Sequence, residues 1–113
     1  MEQALASADN AFRDWDRTGW PHRAGILDRA AQAYESHRAA LMALLIREAG
    51  KTLDNAQADL REAVDFLRYY AMQARQHFSG PMALPGPTGE QNQMSLHGRG
   101  IFVCISPWNF PLA

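Results

Sequence analysis

A single cysteine, Cys104, excludes an internal disulfide, and a reducing, cytoplasmic setting is the expectation that follows. Charge of one sign is equally scarce. Eleven Lys and Arg against twelve Asp and Glu leave a net charge of −1, and no basic cluster is interleaved with aromatics. Neither nucleic acid nor an anionic membrane is therefore an expected partner. The longest helical apolar run, residues 39–46, is far short of the ~20 residues that cross a bilayer, so no transmembrane segment is expected. The opening Met1-Glu2-Gln3-Ala4-Leu5-Ala6 has neither the basic start nor the apolar core of a signal peptide. No Gly-x-Gly-x-x-Gly occurs, and Gly98-Arg99-Gly100 alone is too short to stand for one. His22, His37, His77 and His97 are scattered without ligand spacing, so no metal site is expected.

What is present fits one domain at most. A compact monomer of 113 residues buries roughly 65% of its unfolded surface, and 47% hydrophobic with 20% charged residues is ordinary for a soluble globular chain. The first three quarters carry a helical period. Leu5, Ala8, Phe12 and Trp15 share one face, and Thr18-Gly19-Trp20-Pro21 interrupts it, with Pro21 suited to the first turn of a second helix. Ala24, Leu27, Ala31 and Tyr34 form the next stripe. Ser36 then stands as an N-cap for a third helix carrying Leu41, Leu44, Leu45 and Ala49, with Gly50 closing it. Asp54 and Gln57 have the spacing of a capping box, and Leu53, Leu60, Val64, Leu67, Ala71, Ala74 and Phe78 hold one face of a long fourth helix. Helices are expected over roughly 2–17, 21–35, 37–49 and 53–79.

Residues 80–90 are loop by composition, with three prolines and three glycines. Beyond them the period changes to two. Met94 and Leu96 alternate with Gln93, Ser95 and His97, and the continuous apolar run 101–105 has the character of a strand covered on both faces. Strands are expected near 91–97 and 100–106, roughly. The fold class is thus mostly α with a short β tail, four helices followed by two strands. A strand of the second kind needs neighbours that little remaining sequence supplies, so further chain, self-association or strand exchange is expected to cover it.

The chemistry-bearing residues are few. Asp59, Glu62 and Asp65 recur every third residue and read as a solvated acidic face. Cys104, inside an apolar run, reads as a small core residue and not as a nucleophile. In Ser106-Pro107-Trp108-Asn109-Phe110-Pro111 two prolines bracket Trp-Asn-Phe directly after the second expected strand, where open α/β sheets bind ligands. An Asn amide there can donate to a developing oxyanion, although on physical grounds alone a structural loop is the favoured reading.

Residues 100–112, Gly-Ile-Phe-Val-Cys-Ile-Ser-Pro-Trp-Asn-Phe-Pro-Leu, resemble the strand-and-loop signature of the aldehyde dehydrogenase superfamily. Glu48-Ala49-Gly50-Lys51-Thr52 and Phe66-Leu67-Arg68-Tyr69-Tyr70-Ala71 resemble two weaker family stretches in the expected order. Arg61-Glu62-Ala63-Val64-Asp65-Phe66-Leu67-Arg68-Tyr69-Tyr70 together with Gly98-Arg99-Gly100-Ile101-Phe102 is similar to the bacterial proline utilization A branch, whose enzymes oxidise proline and then glutamate γ-semialdehyde.

The resemblance implies that residues 1–113 are the N-terminal part of the NAD-binding domain of an α/β, Rossmann-like aldehyde dehydrogenase, with 1–79 helical, 80–90 loop, and 91–113 strands and loop. It implies an oxyanion-hole amide at Asn109 and a loop beside the nicotinamide and ribose of NAD at Ile105, Ser106, Pro107 and Trp108. An aromatic wall of the aldehyde pocket falls at Phe110, a nearby carboxylate at Glu62, and a strand beside the oligomerisation arm at 91–97. FAD would belong only to a separate proline dehydrogenase half. The family's nucleophilic cysteine, general-base glutamate, ribose-binding lysine and pyrophosphate turn match no residue here, Cys104 included, so the piece alone is expected to be inactive. The alternatives are another aldehyde dehydrogenase branch, or a non-catalytic helical relic that only self-associates.

Overall fold

The periodic first three quarters of the chain become helix almost throughout. A computed structural model describes all residues 1–113. Its elements are α1 (Glu2–Arg17), α2 (Trp20–Ser36), α3 (Arg38–Ala49), α4 (Leu53–His77), β1 (Met82–Leu84) and β2 (Asn92–Met94). Each helix lies within two residues of its expected span. No helix is long and apolar enough to cross a membrane.

The junctions follow local chemistry, not always where the sequence pointed. Pro21 occupies the first turn of α2, where its missing N–H costs no hydrogen bond. Ser36 does not cap α3. It lies in the last turn of α2, its hydroxyl donating to the Gln32 carbonyl at 2.8 Å, and His37 alone joins the two helices. Gly50 ends α3 in the left-handed region at φ 66°, and the Lys51 N–H reaches back to the Leu45 carbonyl at 3.4 Å. The cap of α4 is Thr52, not the Asp54–Gln57 pair: Thr52 Oγ1 accepts from the Asn55 N–H at 3.3 Å.

The core is a seam between α2 and α4, backed by α3. Ala24, Ala31, Ala56, Ala63 and Ala71 are buried along it, and such small side chains let the helix axes approach closely. Met42, Leu45, Ala56 and Leu60 form a cluster on which Tyr34, Leu41 and Leu112 pack. Leu44, assigned to the inner face of α3, points outward, and Met42 takes its place. Polar contacts brace the open sides: Glu35 accepts from Arg68 at 2.6 Å, Asp28 from Arg75, and Gln57 from Arg38 at 3.1 Å. These exposed pairs add register more than stability.

The chain beyond α4 departs from the sequence reading. β1 falls inside the expected loop and pairs antiparallel with β2 in the register Met82↔Met94, Ala83↔Gln93, Leu84↔Asn92. The Pro/Gly-rich segment is therefore the turn of a hairpin. A Cβ on Gly86 would collide with the Glu90 carbonyl, so the turn depends on that glycine. Hydrogen bonds from the Thr88 hydroxyl, then from backbone N–H groups, hold the Glu90 carboxyl below its ordinary pKa.

The second expected strand does not form. Residues 101–105 carry no strand pairing and are exposed, Val103 at 74% and Ile105 at 86%, and Cys104 is exposed with them instead of sitting in a core. A strand is defined by its neighbours, and none of the 113 residues pairs with this one. The tail is fastened at its start instead. The Gly98 N–H donates to Asp16 Oδ1 at 2.7 Å, while Ala8, Phe12 and Trp15 of α1 face Ile101 and Phe102 across a shallow groove. With ten buried residues and a radius of gyration of 18.5 Å, against about 13 Å for a compact globule of this length, the chain is an extended scaffold of 60 × 34 × 22 Å.

Candidate active site

Asn55, Ala58, Asp59 and Glu62 are spaced by three or four residues and share one face of α4. The left-handed Gly50 turns the chain so that Lys51 comes back over this face. Opposite lies the tail, where the Phe110 N–H donates to the Pro107 carbonyl at 3.2 Å and closes a turn with Trp108 and Asn109 at its tip. Between them is an open cleft of about 370 Å³ lined by Lys51, Asn55, Asp59, Glu62, Trp108, Asn109 and Phe110, among others.

Three sequence candidates from two distant segments, Asn109 and Phe110 of the tail and Glu62 of α4, thus meet at one cleft, and Trp108 stands at its edge. Ile105, Ser106 and Pro107 do not reach it. They run outward and exposed, and Trp108 itself is 84% exposed, so the candidate cofactor residues present an open apolar flank.

The floor of the cleft corrects the acidic-face reading. Glu62 and Asp65 are exposed, but Asp59 is 2% exposed and is the one charged residue counted among the core. Its Oδ2 lies 3.1 Å from Lys51 Nζ, in an ion pair whose side chains are 12% and 1% exposed. Its Oδ1 accepts from the Ala113 N–H at 3.0 Å. Lys51 Nζ also stands 4.8 Å from the centroid of the Phe110 ring, within cation–π range. Lys51 and Asp59 are the members of the cleft that the sequence reading passed over. The available signal was position: residue 59 falls between Ala56 and Ala63 on the buried side of α4.

A somewhat larger cleft, about 440 Å³, opens between α2, α3 and α4. Its arginines are all engaged, Arg38 with Gln57, Arg61 with Asp65 and Arg68 with Glu35, so it offers no free charge for a ligand. No three His, Cys, Asp or Glu side chains converge as a metal-binding group.

The helical scaffold and the Pro-Trp-Asn-Phe-Pro turn thus enclose one cleft between them. The model of the aldehyde dehydrogenase family matches residues 1–113, and the chain belongs to that family. Within it, the chain is 49% identical over 114 residues to the bifunctional protein PutA of Klebsiella aerogenes, covering all of this chain and 8% of that protein. It is 44% identical over 112 residues to 1-pyrroline-5-carboxylate dehydrogenase 1 of Halalkalibacterium halodurans, covering 99% of this chain and 22% of that one. A crystal structure of Bradyrhizobium japonicum proline utilization A (mutant D779W) superimposes with a TM-score of 0.91 at 54% identity, over 99% of this chain and 12% of that chain. The chain therefore spans between a twelfth and a quarter of the length of these relatives, and its helices and hairpin are part of an aldehyde dehydrogenase fold.

Proposed function

We propose that residues 1–113 are the N-terminal part of the NAD-binding domain of an aldehyde dehydrogenase that oxidises L-glutamate γ-semialdehyde to L-glutamate in proline catabolism. The observation that carries this reading is the convergence of Asn109, Phe110 and Glu62 on one cleft, in a chain whose similar proteins bear the names PutA and 1-pyrroline-5-carboxylate dehydrogenase.

In this reading a cysteine supplied by the rest of the enzyme attacks the aldehyde carbon, and the carbonyl oxygen gains negative charge. The Asn109 amide donates a hydrogen bond to that oxygen, strongest when the charge is greatest. The Phe110 ring forms a dry wall beside the chain of the aldehyde. Glu62, exposed at the lip, attracts the ammonium group that a semialdehyde of glutamate carries. NAD, when bound, accepts the hydride. The exposed flank of Ile105, Ser106, Pro107 and Trp108 fits one side of a nicotinamide and its ribose, whereas the contacts for a pyrophosphate would come from elsewhere in the enzyme. FAD belongs to a proline dehydrogenase half where one is joined to the same polypeptide.

The test is NADH formation by the complete protein with a panel of aldehydes. Glutamate semialdehyde is expected to exceed unsubstituted aliphatic aldehydes in kcat/KM by about tenfold or more, a margin of about 1.4 kcal/mol. A preference for an aromatic or aliphatic aldehyde would assign the chain to another branch.

The same reading gives the exposed tail a use. The apolar side chains of residues 101–105 are the flank on which neighbouring strands of the domain would pair. In isolation the chain is expected to self-associate or exchange strands through them. Sedimentation of residues 1–113 checks this, and a well-folded monomer at high concentration would count decisively against it.

A further inference from the structure

Asp59 is a carboxylate placed among alanines and leucines, and the packing of α4 does not require it there. Buried ion pairs are commonly replaced by apolar side chains without loss of stability, so the pair with Lys51 asks for a role other than holding helices together. Its remaining contacts indicate that role. Asp59 Oδ1 takes the Ala113 N–H at 3.0 Å, and the Lys51 ammonium lies 4.8 Å from the Phe110 ring centroid. The pair thus touches the loop at two points on either side of Pro111, one of them at the residue next to Asn109.

Leu112 already inserts into the core cluster, which keeps the tail attached to the helices. Apolar contact is non-directional, however, and leaves the loop free to tilt. A charge-assisted hydrogen bond to the Ala113 N–H and a cation–π contact to the Phe110 ring, both from fixed points on the scaffold, set its orientation. Asn109, inside the Pro107–Phe110 turn and directly before the first of these points, inherits that orientation.

We propose that Lys51 and Asp59 are positioning residues for catalysis, the buried pair fixing the loop 107–113 over α4 and thereby aiming the Asn109 amide at the oxyanion. The proposal rests on the role given to Asn109 above.

The experiment is a mutant cycle in the complete dehydrogenase. Lys51→Met with Asp59→Leu replaces the pair by apolar side chains, and its melting transition is expected to stay close to the parent's. Its kcat is expected to fall about tenfold to a hundredfold, because a displacement of about 1 Å at a catalytic group has that effect, with NAD affinity within about threefold. In an Asn109→Ala background the same double substitution is expected to change kcat less than about threefold, since the amide it positions is gone.

A kcat equal to the parent's, or losses of the same size in both backgrounds, overturns the proposal while leaving the Asn109 reading intact. An Asn109→Ala variant with full turnover overturns that reading, and this proposal with it. If the double variant does not fold, Lys51→Met with Asp59→Asn, which leaves no unpaired buried charge, takes its place in the cycle, with Lys51→Arg as the control. Arginine keeps the charge beside Asp59 and over Phe110 and is expected to remain within about threefold of the parent. An arginine variant as impaired as the methionine one overturns the proposal.

Discussion

Asn109→Ala is expected to lower the turnover of the complete dehydrogenase about a hundredfold, a rise of about 3 kcal/mol in the barrier. The size follows from what the amide does. A side-chain donor aimed at a forming oxyanion contributes most where charge is most localised, so its loss falls on kcat and less on the affinity for either ligand. Asn109 stands at the tip of a turn closed by the Phe110 N–H on the Pro107 carbonyl, between two prolines that restrict the backbone. In its proposed role it meets the substrate already oriented. Alanine preserves the turn and removes only the donor, which makes the substitution a clean one. Steady-state kinetics with glutamate semialdehyde measures the effect, and turnover within a fewfold of the parent would remove Asn109 from the mechanism.

The second large effect is an absence of activity. Residues 1–113 by themselves are expected to neither oxidise glutamate semialdehyde nor bind NAD measurably. The cleft holds an amide, an aromatic wall and a carboxylate, but the chain's one thiol is not among its lining residues. Cys104 is on the outward-running segment five residues before Asn109, so a thiohemiacetal formed on it would not face the Asn109 amide. Sequence alone placed this cysteine in a core, and the structure exposes it. The expectation of inactivity now rests on its location and not on its burial. NADH formation by the isolated chain, beside a Cys104→Ser control, is the measurement. Turnover abolished by that substitution would overturn both the segment reading and the assignment of Asn109 to a site completed from elsewhere.

The difference at Cys104 shows which features a sequence carries. Helices were legible because their pattern is local: Ala24, Leu27, Ala31 and Tyr34 mark the inner side of α2 whatever lies across from them, and Gly50 ends α3 through its own backbone freedom. The strand expected over 100–106 was not local, since pairing is a property of two segments, and no second one is present. Thr52 was overlooked as the α4 cap because Asp54 and Gln57 carry the same signature two residues later.

Asp59 was misread for a geometric reason. Each residue turns a helix by about 100°, so steps of three drift by about 60°, and residues 59 and 65 end about 120° apart instead of on one face. In the site, Asn109 and Phe110 were recognisable because their motif is contiguous. The ion pair beneath them joins residues eight apart across the cap of α4, and no short pattern announces it.

The alanine seam between α2 and α4 also has a consequence for how the molecule is made. The buried alanines of this seam all lie within residues 20–77, so the helices that carry them are made before the tail. Synthesis delivers the N-terminal side first, so the helical scaffold is able to dock while residues 101–113 are still being added. The apolar tail then emerges onto a finished surface where Asp59 waits for the Ala113 N–H and the groove beside α1 is open. Until a pairing partner covers it, this tail is the part of the chain most exposed to aggregation. A chaperone acting on the nascent chain would find its binding segment at residues 101–105.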